Sequence, residues 1–230
     1  MIQIGGLQKL TLIDFPGRVA ATVFLCGCNL RCPWCYSREL VLPELIAGQP
    51  KITEKEFFDF LADRKGLLDG IVICGGEPTL NPDLADFISK IKKMGYAVKL
   101  DTNGSNPAVL EELIDQKLID YVALDIKLPK ERYEKELKIK AEEIEKSIEI
   151  LRKSGIDHEF RTTVVPGVHT KEDIIEIAQW LTPAKKYYLQ SFRPEKTLNP
   201  EMEKIKPYLT EQLSAIREEI APLFEICEIR

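Results

Sequence analysis

Short apolar runs alternate with amphipathic stretches down most of this chain, and that alternation restricts its fold more than any other feature. RVAATVFLC (18–26), GIVIC (70–74), AVKLD (97–101), YVALDIK (121–127), HEFRTTVV (158–165) and KYYLQS (186–191) have the length and composition of strands. Helix signals lie between them. Thr53 and Glu56 have the spacing of a capping box, opening a helix that turns Phe57, Phe58 and Leu61 inward. Asn81-Pro82 offers an N-cap and an N1 proline before Leu84, Phe87, Ile88, Ile91 and Met94, and Gly95 ends that run. Asn106-Pro107 starts a third helix, Ile144, Ile148 and Leu151 carry a fourth closed by Gly155, Thr170 opens a fifth, and 213–220 form the last. Strands separated by helices pair in parallel through right-handed crossovers. Six such units build either an open doubly wound sheet or an incomplete barrel.

The polar residues gather at the carboxyl ends of these strands, where active sites form in barrels and open parallel sheets alike. Cysteines follow the first strand, GGEP the second and DTNG the third; Asp125 and Lys127 end the fourth, Arg161 lies in the fifth, and Gln190 and Ser191 close the sixth. There is no internal repeat and no Gly- or Ser-rich linker, so one domain over residues 1–230 is expected. The Lys- and Glu-rich stretch from Lys130 to Lys146 reads as a solvated loop and helix face.

Four of the six cysteines, Cys26, Cys28, Cys32 and Cys35, fall within ten residues. No apolar run reaches the roughly 18–20 residues that span a bilayer, and the N-terminal stretch lacks the marks of a signal peptide. A cytoplasmic location follows, where thiols stay reduced and clustered cysteines bind metal. Thirty-two basic against 37 acidic residues leave a net charge of −5, which gives no support to a broad nucleic-acid-binding surface. Cys28, Cys32 and Cys35 are spaced C-x3-C-x2-C. Structural zinc wants a second ligand pair and ferredoxin clusters a different run. Three thiols on one loop instead suit a four-iron cluster with one iron left open. Cys26 is a candidate fourth ligand, but its place at a strand end suits a small packed hydrophobe.

C-x3-C-x2-C with an aromatic before the last cysteine, followed by GGEP at the next strand end, resembles the radical S-adenosylmethionine enzymes. GGLQKLTLIDFPGRVA, the DTNG at 101–104, the LDIK at 124–127 and the FRTTVVPG at 160–167 resemble the glycyl-radical-enzyme activases among them, chiefly the activating proteins of anaerobic ribonucleotide reductases. The resemblance implies a partial (β/α)6 TIM-like barrel and S-adenosylmethionine cleaved to a 5′-deoxyadenosyl radical. The radical would take hydrogen from a glycine of a partner enzyme, with a one-electron reductant such as ferredoxin or flavodoxin.

The resemblance also implies roles. Cys28, Cys32 and Cys35 would hold three irons, and the backbone around Trp34 and Tyr36 would border the adenine. Gly75, Gly76 and Glu77 would receive the methionine ammonium. Asp101 and Thr102 would help place a monovalent cation or the ligand, Asp125 and Lys127 would contact ribose and carboxylate, and Arg161 would offer its planar fork. Gln190 stands where the formate-lyase activase has a cofactor-binding histidine, and Tyr36 where relatives often have histidine. Asp101 suits a turn cap equally well, and Asp125 with Lys127 an ion pair at the mouth. Cys74 and Cys227 read as core thiols, His158 and His169 as structural or surface residues. The competing functions are a radical enzyme acting on a small molecule, peptide or RNA, and a non-catalytic iron–sulfur electron carrier.

Overall fold

Each of the six apolar runs forms a strand, and the structure, a computed structural model describing residues 2–230, adds one more at either end. The strands are β1 (Ile4–Thr11), β2 (Ala20–Leu25), β3 (Gly70–Gly75), β4 (Ala97–Thr102), β5 (Tyr121–Asp125), β6 (Asp157–Val164), β7 (Lys186–Ser191) and β8 (Ile226–Ile229), kept in chain order within one sheet. The helices are α1 (Arg38–Val41), α2 (Pro43–Gly48), α3 (Glu54–Asp63), α4 (Leu84–Lys93), α5 (Pro107–Asp115), α6 (Ala141–Ser154), α7 (Lys171–Leu181) and α8 (Thr210–Ile220). Two compact units divide the chain. The first takes residues up to 29, 37–102 and 108–122; the second takes 30–36, 103–107 and 123–230.

In the first unit β2, β3 and β4 run parallel, with Thr22 beside Val72 and Val72 beside Lys99. The capping box at Thr53 and Glu56 forms as expected and sets α3, whose Phe57 and Leu61 are buried. Phe57 stacks on Phe87 of α4 at 5.2 Å. Phe15 packs with Ala20, Val72 and Tyr121 in one buried cluster. β1, which the periodicity does not announce, runs antiparallel to β2 with two register shifts. Gly5 sits at one of them because a Cβ there would stand 2.4 Å from Leu40 Cδ2 and 2.7 Å from Cys26 Sγ. The start of the chain thus passes directly over the thiol that follows β2, and the Cys26 N–H donates to Gln3 O at 2.9 Å.

In the second unit β6, β7 and β8 run parallel, with Phe160 beside Tyr187 and Tyr187 beside Cys227. α6 buries Ile144, Ile148 and Leu151, and Gly155 ends it in the left-handed region at φ +72°. α7 opens on a capping box between Thr170 and Asp173 and buries Ile174, Ile177, Ala178 and Leu181.

Two local expectations are corrected. Asn81 does not cap α4, which begins at Leu84 behind Asp83. A short 3-10 turn, Pro78–Leu80, comes first, and the Asn81 amide donates back to Pro78 O at 3.1 Å. The stretch from Lys130 is not wholly solvated either. It holds a 3-10 turn and then a π-helical turn, Tyr133–Leu137, that buries both Tyr133 and Leu137. Among the described residues, no helix is long and apolar enough to cross a membrane.

Candidate functional site

In the first unit the ends of β2 and β3 lie side by side, Leu25 in register with Gly75. The exit from β3 is drawn against the backbone that follows β2. The Gly76 N–H donates to Leu25 O at 2.9 Å and the Glu77 N–H to Gly27 O at 2.7 Å. Only glycine fits: Gly75 has φ +127°, and a Cβ on Gly76 would lie 2.0 Å from Gly27 O. The GGE segment is therefore a bare backbone edge beside the residue that precedes Cys28. Glu77 is buried, and its Oε1 accepts from the Thr79 N–H at 3.1 Å, Thr79 Oγ1 at 2.6 Å and Thr102 Oγ1 at 2.7 Å. This carboxylate locks the turn to the end of β4. On the opposite face of β4, Lys99 Nζ donates to Asp101 Oδ1 at 2.5 Å and lies 5.9 Å from the centroid of the Tyr121 ring. Cys26 is partly buried, and burial pushes its thiol pKa up, as befits a packed thiol.

In the second unit the Cys35 N–H donates to Cys32 O at 3.0 Å, so the two cysteines flank a tight turn. A segment that the sequence does not flag straps this turn: the Leu198 N–H donates to Cys35 O at 2.8 Å and the Asn199 N–H to Pro33 O at 2.9 Å. Trp34 is buried with its ring edge-on to His169, centroids 5.9 Å apart, while Tyr36 is exposed. His169 Nδ1 accepts from the Val165 N–H at 3.0 Å, leaving Nε2–H to donate to Lys127 O at 2.9 Å. Burial holds the pKa of this ring below its ordinary value. The Lys127 N–H in turn donates to the hydroxyl of buried Tyr133 at 2.7 Å. One peptide segment is thus gripped on both sides by buried side chains.

That grip sets a charged row. Asp125 Oδ2 meets Lys127 Nζ at 3.1 Å, and Oδ1 accepts from Arg161 Nε at 2.7 Å. Burial works against the Asp125 carboxylate, but Arg161 and Lys127 hold its pKa well below the usual range. Burial likewise works against the Lys127 ammonium, yet Asp125, and the sulfurs of Cys32 and Cys35 when they carry charge, hold it above the usual range. The row continues through buried Glu159, 4.0 Å from Arg161 Nη1 and 3.0 Å from Arg230 Nη1. Gln190 stands at the end of β7 beside Thr163, whose hydroxyl is 3.5 Å from the Gln190 carboxamide oxygen.

The structure thus ties Gly75, Gly76, Glu77 and Thr102 together, and Asp101 to Lys99; separately, it ties Cys32, Cys35 and Trp34, and Asp125, Lys127 and Arg161. Sequence reasoning missed Tyr133, the Leu198–Asn199 strap and Lys99. A lysine inside an apolar strand, two residues before an aspartate on the same face, is the one signal that was present. Among the described residues, no three cysteine, histidine or carboxylate side chains are gathered as a metal-ligating group. The fit to a thiolate-held cluster rests on the donor set and the tight Cys32–Cys35 turn. The fit to an amino-acid-bearing ligand rests on the edge that Cβ atoms at Gly75 and Gly76 would fill.

The structure is similar to that of SuiB from Streptococcus suis, with a TM-score of 0.67 at 15% identity over 88% of this chain and 47% of SuiB, so the chain spans about half of that protein. It is also similar to QueE from Escherichia coli, with a TM-score of 0.60 at 17% identity over 98% of this chain and 92% of QueE. These likenesses show an α/β fold of the partial (β/α)6 TIM-like barrel class, the alternative the resemblance favoured. In sequence, a Methanocaldococcus jannaschii protein provisionally named a glycyl-radical enzyme activating enzyme is 39% identical over 212 residues, 88% of this chain and 85% of that one. A 7-carboxy-7-deazaguanine synthase from Thermococcus kodakarensis is 28% identical over 71% of this chain and 69% of its own length. The model of the radical SAM superfamily matches residues 22–181. Enzymes of this kind use a [4Fe–4S] cluster and S-adenosylmethionine, and SuiB has been crystallised with S-adenosylmethionine bound. With the cysteine loop, the glycine edge and a match over most of its length, the chain belongs to the radical SAM superfamily.

Proposed function

We propose that this enzyme is a glycyl-radical-enzyme activase whose substrate is a protein. The observation that carries the reading is the 39% identity to a provisionally named activase over nearly the whole of both chains. When bound, the cluster and S-adenosylmethionine supply reductive cleavage to a 5′-deoxyadenosyl radical, which takes a hydrogen atom from a glycine α-carbon of the partner.

The chain's own groups bind and orient. Cys28, Cys32 and Cys35 are the thiolate donors, and the strap at Leu198 and Asn199 holds the last two in their turn. The backbone at Gly75 and Gly76 receives the methionine ammonium, while Glu77 acts behind it by fixing the turn. Asp125 faces ribose hydroxyls as an ionised acceptor and Lys127 a carboxylate. Arg161 braces Asp125 through Nε and offers its guanidinium fork to the ligand. The backbone beside Trp34 and Tyr36 borders the adenine, and Gln190 supplies a carboxamide at the mouth.

A second reading, a radical enzyme acting on a small molecule, draws on the likeness to 7-carboxy-7-deazaguanine synthases. The test is electron paramagnetic resonance of a glycyl radical enzyme from the same source after anaerobic incubation with the reconstituted protein, S-adenosylmethionine and a one-electron reductant. A glycyl doublet with stoichiometric 5′-deoxyadenosine is the expected outcome. A 5′-deoxyadenosine yield that ignores the partner but rises with a deazaguanine precursor would move the assignment to the second reading.

A further inference from the structure

The sequence resemblance implied a monovalent cation near Asp101, and the residues present do not fit one. Lys99 is 1% exposed and its ammonium stands 2.5 Å from Asp101 Oδ1. The position is built, not incidental. Lys99 lies on the central part of β4 beside Val72, so its stem crosses apolar surface, and the Tyr121 ring face lies 5.9 Å from the charge. Asp101 is itself buried and sits next to Thr102, which donates to Glu77 at the glycine edge. A carboxylate in such a place needs a positive neighbour. A sodium or potassium ion at the same oxygen would meet a like charge in a medium of low dielectric.

We infer that the Lys99 ammonium is a covalently tethered replacement for a monovalent cation at Asp101, making Lys99 a positioning residue for the S-adenosylmethionine site. The chain then carries its own counter-ion, in a fixed place and at a concentration that does not vary with the medium. The inference rests on S-adenosylmethionine binding and not on which molecule the radical attacks, so failure of the activase reading leaves it standing.

The test is the dissociation constant of S-adenosylmethionine on anaerobically reconstituted wild type, Lys99→Met and Lys99→Arg. Each is measured with tetramethylammonium as the sole cation and then with added potassium, sodium or methylammonium. Wild type is expected to vary by less than about twofold across these media. Lys99→Met is expected to bind about tenfold or more weakly in tetramethylammonium and to recover with a small cation, because a buried carboxylate has lost the neighbouring ammonium. Lys99→Arg should retain most of the affinity. A purely structural role would lower the melting temperature of Lys99→Met equally in all media, without cation-specific recovery, and would overturn the inference. Should Lys99→Met fail to fold, wild type alone decides: tightening of about tenfold on adding potassium would mean that a separate ion is required.

Discussion

His169 has both ring nitrogens committed, Nδ1 as acceptor from Val165 and Nε2–H as donor to Lys127 O, and the ring edge against Trp34. A second proton would have to go on Nδ1, where the Val165 N–H already points. The folded-state pKa is lowered by burial, so below about pH 6.5 the unfolded chain takes up a proton that the folded chain refuses. Stability contributed by the neutral ring is therefore present near neutrality and lost as pH falls through the unfolded-state value. His158 is lowered in the same direction, also by burial, and adds to the slope. The urea midpoint of wild type should fall between about pH 8 and pH 5.5, and part of that fall should vanish in His169→Gln. Equal slopes in the two proteins would mean that the ring accepts a proton without cost in the fold. At this scale the sequence was legible where chemistry leaves a signature: the thiol spacing, the GGE turn and the Asp125–Lys127 pair stood out. Tyr133 was not, because it is flanked by charged residues and its ring packs on Trp180, far along the chain.

At the scale of elements, the joint between β2 and β3 depends on having no side chain. Gly76→Ala puts a methyl group 2.0 Å from Gly27 O, a backbone atom that cannot rotate away. The expected cost is about 2–4 kcal/mol of stability, with S-adenosylmethionine binding lost in any fraction that folds. Equilibrium dialysis alongside a urea melt separates the two effects. Unchanged binding in the variant would mean that the glycine edge is not where the ligand lies. The six inner strands were readable because each is a short apolar run bounded by helix signals. β1 was hidden by its paired glycines and by the exposed run Gln8, Lys9 and Leu10, which breaks any alternation, and β8 by its four-residue length. α4 begins three residues after Asn81 because a local 3-10 turn captured that side chain first, a competition that spacing alone does not resolve.

At the scale of the molecule, a chain of net charge −5 keeps a mostly cationic row in its second unit, running from buried Glu159 out to exposed Arg230: Lys127, Asp125, Arg161, Glu159 and Arg230. Glu159 is fully buried between two guanidinium groups, and Arg230 also lies 3.4 Å from the centroid of the Tyr188 ring. Removing Glu159 takes the carboxylate from between two guanidinium groups, of which Arg161 keeps Asp125 and Arg230 reaches solvent, so Glu159→Ala should cost about 1–3 kcal/mol in a urea melt. A loss under about 1 kcal/mol would place the row in water, with the worth of a surface pair. The strap across the cysteine turn has a consequence for the order of events during synthesis. Cys35 leaves the ribosome about 160 residues before Leu198, the residue that closes over it. At about 5–20 residues per second, the thiols spend roughly 8–30 seconds outside before the strap exists. The Cys32–Cys35 turn is thus made as nascent chain before the backbone that pins it, and its strapped geometry is reached only once Leu198 and Asn199 have followed.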